Sequence, residues 1–126
     1  MYAHVTWHTY QRIGCVNQAA AKDVRLAAAR AGRRTGIQVL KGAVLADHVH
    51  LLVSFRPDTR LSDFVRLTKT VSAYLANDRV PGAVRWARGY YAATLAKRDL
   101  AQVAAYIASQ HKRHPDRIPA PSLKVY

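Results

Sequence analysis

The chain has 126 residues, half of them hydrophobic, and its 20 Lys and Arg outnumber its 7 Asp and Glu, which gives a net charge of +13. This length suits one globular domain, and no apolar run reaches the roughly 20 residues needed to span a bilayer, so no membrane association is expected. The first residues lack the pattern of a signal peptide and Cys15 is the only cysteine, which favours a cytoplasmic protein. The positive charge indicates a polyanionic partner such as a nucleic acid.

The first half of the chain predicts a strand, a helix and a hairpin. Residues 3–10 alternate between polar and apolar side chains, as in a strand with one buried face. Asn17 is expected to cap an alanine-rich helix that ends near Gly32. Residues 36–55, "GIQVLKGAVLADHVHLLVSF", then predict two strands joined by the short turn "LADH".

The second half predicts a helix, a strand and a last helix. Helical spacing of apolar side chains extends over residues 60–76, and the aromatic-rich stretch 86–94, "WARGYYAAT", is typical of a strand. Asp99 is expected to cap a last helix that continues to about Lys112. The buried stripe of that helix would consist of Leu100, Val103, Ala104, Ile107 and Ala108.

The order of elements, β-α-β-β-α-β-α, indicates the fold class. It predicts an α+β protein with a ferredoxin-like (RRM-like) antiparallel sheet, helices on one face and one C-terminal helix appended. Residues 1–114 would form the domain. Residues 115–126 contain three of the five prolines and are expected to form an irregular tail.

Two histidines at the start of the third strand are the first candidate site residues. His48 and His50 share one face of the strand, while Val49 and Leu51 share the other, which is expected in the core. By itself this pair is more typical of half-buried polar groups than of a metal site.

The last helix offers partners for this histidine pair. Tyr106, Gln110 and His114 recur every four residues and so share one helical face. A divalent ion held by two imidazoles and an amide oxygen would keep open positions for phosphate oxygens. A tyrosine hydroxyl could then attack the phosphorus and displace a deoxyribose 3′ oxygen, leaving a covalent phosphotyrosine.

Basic and aromatic side chains are candidates for holding DNA through its phosphates and unpaired bases. The candidates for stacking on unpaired bases are Trp7, Trp86, Tyr90 and Tyr91, although Trp7 and Tyr91 could equally belong to the core. The predicted DNA-binding residues are Arg12, Lys69, Arg85, Trp86, Arg88, Tyr90, Lys112 and His114.

Several stretches together resemble one known family. They are "HVTWHTYQR", "DHVHLLVSF", "FVRLTKTVSAYL", "WARGYYAAT" and "YIASQ", in this order over roughly residues 3–114. The chain resembles the single-tyrosine HUH transposases, which include the TnpA type of small insertion sequences and the REP-associated tyrosine transposases.

The resemblance implies roles for individual residues. His48 and His50 would be the HUH pair, Tyr106 the catalytic nucleophile and Gln110 the third ligand of Mg²⁺ or Mn²⁺. The family cuts and rejoins single-stranded DNA at element ends, becomes linked to the 5′ side and releases a free 3′ hydroxyl. Its members recognise DNA hairpins, and many are homodimers that pair the histidines of one subunit with the tyrosine helix of the other.

Other readings stay open at this point. His114 could replace or assist Gln110, or contact a DNA phosphate. The protein could be a domesticated relative that binds or processes palindromic hairpin DNA without transposing. An unrelated basic RNA-binding module would leave the pattern of histidines, tyrosine and glutamine unexplained, and a replication initiator or conjugative relaxase would share the chemistry in a usually larger protein.

Overall fold

Four strands form one antiparallel sheet in the computed structural model, which describes residues 1–122. The strands are β1 (Tyr2–His8), β2 (Gln38–Val44), β3 (His48–Ser54) and β4 (Tyr91–Leu95). Their order in the sheet is β2-β3-β1-β4, so that β1 and β3 are central. The predicted ferredoxin-like, α+β class is confirmed.

Two long helices cover one face of the sheet, and two shorter ones follow β4. The long helices are α1 (Gln18–Thr35) and α2 (Leu61–Arg79), and the short ones are α3 (Leu100–Ala108) and α4 (Gln110–Arg113). The main core lies between the sheet and α1 and α2. Helix α3 packs against β2 and β3 and carries Tyr106 next to the histidine face, so the appended helix lies on the side opposite α1 and α2.

The core follows from the alternation along the central strands. Val5 and Trp7 on β1 are almost completely buried, and so is Val49 on β3, for which burial was predicted. The alanine-rich face of α1 allows this helix to approach the sheet closely. At Gly32 a Cβ atom would lie 2.5 Å from the carbonyl oxygen of Ile37, so the chain requires glycine there.

The fourth strand begins later than the sequence predicted. Residues 86–90 do not belong to the ladder, apart from an isolated bridge between Thr9 and Trp86. The Lys69 ammonium donates to the carbonyl oxygens of Ala87 and Gly89, at 2.7 and 3.0 Å, which fixes this segment as a loop. Because Lys69 belongs to α2, the sequence of residues 86–94 alone does not reveal why β4 begins late.

The last helix is broken and not continuous to Lys112 as predicted. Ser109 joins α3 to α4, and its hydroxyl donates to the Tyr106 carbonyl, a local bond that competes with the helical ladder. Asp99 belongs to a 3-10 turn and makes no side-chain cap. In the predicted stripe only Ile107 is fully buried; Ala108 is exposed, because α3 contacts the sheet along one narrow line.

The described part of the tail is attached to the domain. Pro115–Arg117 forms a 3-10 turn, and the Arg117 carbonyl accepts a hydrogen bond from Ala46. The Ala120 carbonyl accepts a hydrogen bond from the backbone N–H of Gln18. This N–H lies in the first turn of α1, where backbone N–H groups have no partner within the helix. Residues 123–126 of the predicted tail lie outside the described residues. No helix within residues 1–122 combines the length and hydrophobicity of a membrane span.

Candidate active site

The histidine pair lies on the face of β3 that points away from α1 and α2. His48 pairs with His8 and His50 with Thr6 in the β1–β3 ladder. The ring centroids of His48 and His50 are 4.9 Å apart. The predicted pairing of these side chains on one face is confirmed by the fold.

A histidine that the sequence did not single out holds His50. The His4 Nε2 and His50 Nδ1 atoms are 2.9 Å apart, and the two rings stack with centroids 5.1 Å apart. His50 is buried, and its Nε2 has no hydrogen-bond partner within the described chain. We assign the shared proton to His50 Nδ1, which leaves a free lone pair on its Nε2.

The second imidazole is oriented by its neighbour in sequence. His48 Nδ1 lies 2.7 Å from a carboxylate oxygen of the buried Asp47, whose other oxygen is 3.8 Å from the Arg117 guanidinium. A histidine that donates its Nδ1–H to a carboxylate presents the lone pair of its Nε2. Histidines that bind metal ions usually make such a hydrogen bond. Asp47 was also missed, although it stands directly before the pair.

Tyr106 and Gln110 meet the histidines from helices α3 and α4. The centroid of the Tyr106 ring lies 5.9 Å from that of His50 and 6.0 Å from that of His4. Tyr106 is 40% exposed. Gln110 is buried, and its Nε2 donates to the Tyr106 carbonyl at 3.2 Å, which leaves the amide oxygen free of that bond. The fold therefore brings Tyr106 next to His50 despite the break at Ser109. The Gln110 side chain is also close enough to His50 to affect its pKa.

The donor set fits a divalent cation. Within residues 1–122, no three side chains of His, Cys, Asp or Glu converge as metal ligands, so two imidazoles would need a third ligand of another kind. The Gln110 amide oxygen is such a ligand, and a set of two imidazoles and one oxygen can hold a divalent cation with positions left open. The buried, unpartnered Nε2 of His50 is the observation that favours an ion here.

The environment of His50 makes the stability of the metal-free protein depend on pH. Burial, together with the imidazoles of His48, His4 and His114, lowers the pKa of His50 to about 4, and the Gln110 side chain acts in the opposite direction. An unfolded histidine titrates near 6.5. Between these two pH values the unfolded state binds more protons than the folded state. The free energy of unfolding therefore decreases as the pH falls from about 6.5 towards 4.

We therefore expect the thermal unfolding midpoint to fall by several degrees between pH 7 and pH 4.5. The control is His50→Gln, whose midpoint should depend less on pH over the same interval because the titrating imidazole is gone. Identical pH profiles for the two proteins would contradict the buried, neutral state of His50.

The remaining imidazoles differ in their position. The His114 ring lies 6.1 Å from the His48 ring, at the edge of the site. His111 turns away, because its Nε2 bonds to the Val44 carbonyl at 2.9 Å. Arg113, which the sequence analysis did not select, lies 5.1 Å from the Tyr106 ring centroid.

The predicted DNA-binding residues have different surroundings. Trp86 packs edge-on against Trp7 and donates its indole N–H to Ser72, and Lys69 is engaged by the backbone of the loop before β4. The Arg85 guanidinium lies over the Tyr10 ring, 3.8 Å from its centroid. The exposed members of the predicted set are Arg12, Arg85, Arg88, Tyr90 and Lys112.

Comparisons with known proteins agree with this architecture. ISDra2 transposase TnpA of Deinococcus radiodurans is 33% identical over an alignment of 87 residues. The match covers 64% of this chain and 62% of that protein, which is less than two thirds of the relative's length. A crystal structure of a Deinococcus radiodurans R1 protein described as a transposase superposes with a TM-score of 0.67 at 25% identity, over 88% of this chain and 91% of the other.

A second solved structure shares the fold. A REP-associated tyrosine transposase bound to a REP hairpin superposes with a TM-score of 0.73, at 16% identity, over 90% of this chain and 67% of the other. The family described as "Transposase IS200 like" matches residues 1–110. Because that match covers most of the 126 residues, the chain belongs to the IS200-like transposase family.

Proposed function

We propose that this protein cuts and rejoins single-stranded DNA at the ends of a mobile element through a covalent 5′-phosphotyrosine at Tyr106. One observation carries the proposal: the centroid of a half-exposed tyrosine ring lies 5.9 Å from that of a buried histidine whose Nε2 has no hydrogen-bond partner among residues 1–122. A nucleophile that substrate can reach thus lies beside a position suited to a phosphate-binding cation.

The reaction is a balanced exchange of esters. The Tyr106 oxygen forms a bond to phosphorus and releases its proton to solvent, while the bond from phosphorus to the 3′ oxygen breaks and that oxygen takes up a proton. No water is consumed and the phosphoester is retained. A 3′ hydroxyl from another strand can therefore reverse the step and join a new pair of ends.

The metal ligands in this proposal are His48, His50 and Gln110. A bound Mg²⁺ or Mn²⁺ would polarise the scissile phosphate and offset the charge that develops on its oxygens. The neighbouring side chains have a positioning role: His4 and Asp47 engage the Nδ1 atoms and so direct both Nε2 atoms outward.

The proposed substrate is single-stranded DNA that carries a hairpin near the cut. The net charge of +13 provides the attraction for phosphates. The REP-associated transposase of the same fold is bound to a hairpin, which supports a hairpin ligand here. Arg12, which lines a cleft with His48 and His50, and the half-buried His114, whose ring centroid is 6.1 Å from that of His48, are proposed to contact the strand near the cut. The other predicted residues are proposed to hold flanking phosphates and bases.

We also propose a homodimer that joins through β4. This edge strand, "YAATL", carries no charge, and its first four residues are exposed. The other edge strand, β2, carries Lys41 and is packed against α1 and α3. Tyr106 already meets the histidines of its own chain, so the dimer is not needed to complete the site. Sedimentation at micromolar concentration tests this proposal, and a monomer at all concentrations would refute it.

The covalent adduct is the decisive test of the proposed function. The protein is incubated with Mn²⁺ and single-stranded DNA that carries the element end, with labels at either terminus. An adduct that resists boiling in detergent and contains the 3′-terminal label is expected, and mass spectrometry should locate it at Tyr106. Tight hairpin binding without any adduct would favour the domesticated, binding-only alternative.

A further inference from the structure

A cleft of about 190 Å³ opens beside the histidines, and its wall includes Thr6, Arg12 and Tyr91; we refer to it as the β4 cleft. Thr6 pairs with His50 on one side and with Tyr91 on the other. These three side chains therefore form one row across three strands on the same face of the sheet. The Tyr106 ring contacts His4, two residues before Thr6 on β1, whereas the β4 cleft is lined by His8, two residues after it. Tyr106 and the cleft therefore lie on opposite sides of the Thr6–His50 pair along the strands.

We propose that the β4 cleft holds the nucleotide on the 5′ side of the cut, which departs with the free 3′ hydroxyl. This inference rests on the proposed function. In a phosphoryl displacement the attacking and leaving oxygens lie roughly in line, on opposite sides of phosphorus. If Tyr106 attacks from the His4 side, the 3′ oxygen leaves towards His8 and Arg12. The leaving nucleotide then enters the β4 cleft.

The wall of the cleft suits a nucleotide. Tyr91 is 72% exposed, so its ring is free to stack on an unpaired base. Arg12 supplies a guanidinium that can bind a phosphate or a base edge. The backbone of Gln11 and Arg12 is held at φ values of 53° and 54°, which non-glycine residues rarely adopt. Such strain persists where surrounding bonds fix it, and it is frequent at binding sites.

The bonds that fix this turn come from Thr9. Its hydroxyl donates to the Ile13 carbonyl at 2.7 Å, and its backbone N–H donates to the Asp47 carbonyl at 2.9 Å. The turn that presents Arg12 is thereby tied to the residue that orients His48. The backbone of Arg12 is consequently held at a fixed position relative to the histidines.

A second cleft extends the path for the strand. It has a volume of about 240 Å³, shares His8 and Tyr91 with the β4 cleft and continues to Arg88 and Tyr90. A strand whose 3′ end occupies the β4 cleft would therefore run back past Tyr90 and Arg88 with its preceding nucleotides. This assigns a direction to the DNA: the 5′ flank lies over β4 and the 3′ flank on the side of α3.

Abasic substitutions in the DNA test the direction. In the unaltered protein, removing the base on the 5′ side of the cut should lower the single-turnover cleavage rate about tenfold, the usual size of one lost stacking contact. Tyr91→Ala should lower the rate on intact DNA similarly and make it insensitive to that abasic site. The effect of an abasic site on the 3′ side should be the same in both proteins.

Two controls accompany this test. Tyr91→Phe keeps the ring and should retain the tenfold penalty of the 5′ abasic site. Tyr74→Ala removes an equally exposed tyrosine, 69% accessible, from α2 on the other side of the sheet and should behave as the unaltered protein. A Tyr91→Ala protein that keeps the full 5′ penalty, or loses the 3′ one, would overturn the inference.

A binding measurement separates this inference from the proposed function. A labelled strand that ends in the 3′ hydroxyl is titrated with protein, with and without its terminal base, so that no chemistry is required. Loss of the base should weaken binding about tenfold, and Tyr91→Ala should abolish the difference. No difference in the unaltered protein would refute the β4 cleft as this site, whether or not a covalent adduct forms.

Discussion

Tyr106→Phe is expected to lower the rate of DNA cleavage by about 10⁴-fold or more and to eliminate the covalent adduct, because it removes the attacking oxygen. The ring is 40% exposed and keeps its contacts with His4 and His50, so the free energy of unfolding should change by no more than about 0.5 kcal/mol. Hairpin affinity should be unchanged, since phosphate and base contacts do not depend on this hydroxyl. Adduct formation, filter binding and thermal melting measure the three quantities.

The control for this substitution is Tyr74→Phe on α2, which should cleave like the unaltered protein. An adduct that persists in Tyr106→Phe would contradict the assignment. The residue to map next would be Tyr91, which lies in the same sheet row as His50 and is 72% exposed. Retained binding with lost cleavage would instead agree with Tyr106 as the nucleophile.

The core of the site could be predicted because it depends on local periodicity. Alternation along one strand places His48 and His50 on one face, and a four-residue spacing brings Tyr106 and Gln110 to one side of a helix. The spacing survives the break at Ser109, because Gln110 begins α4 directly after it and stays buried against Tyr106. The pattern indicated residues that the fold brings close together, although the predicted helix was too long.

The parts that could not be predicted depend on pairing between distant segments. His4 meets His50 only through the register of β1 on β3, 46 residues apart in sequence. The late start of β4 depends on the Lys69 ammonium, which comes from α2. The side of the sheet taken by α3 is likewise a result of tertiary packing. None of these contacts leaves a periodic signal in the sequence.

Removal of the metal is expected to abolish cleavage while the fold stays intact. Hydrogen bonds from His4 and Asp47 orient the two imidazoles, so protein contacts as well as an ion would hold the rings in place. A catalytic ion of modest affinity adds only RT ln(1 + [L]/Kd), about 1.4 kcal/mol at ten times Kd. Chelation should therefore shift the unfolding midpoint by a few degrees and stop adduct formation. A fall of more than about 10 °C would indicate a structural ion instead.

Substitutions around the imidazoles should separate ligands from positioning residues by their effect on Mn²⁺ affinity. His50→Ala and Gln110→Leu should each abolish Mn²⁺ binding, measured by electron paramagnetic resonance. Gln110→Glu keeps an oxygen ligand and should retain Mn²⁺ binding. His4→Phe keeps a ring beside His50 but removes the nitrogen that engages its Nδ1, and should weaken binding about 10- to 100-fold. His111→Gln is the matched control, because that imidazole bonds to the Val44 carbonyl and should not affect Mn²⁺ binding. Equal affinities in His4→Phe and the unaltered protein would show that the His4–His50 bond does not set which nitrogen faces the ion.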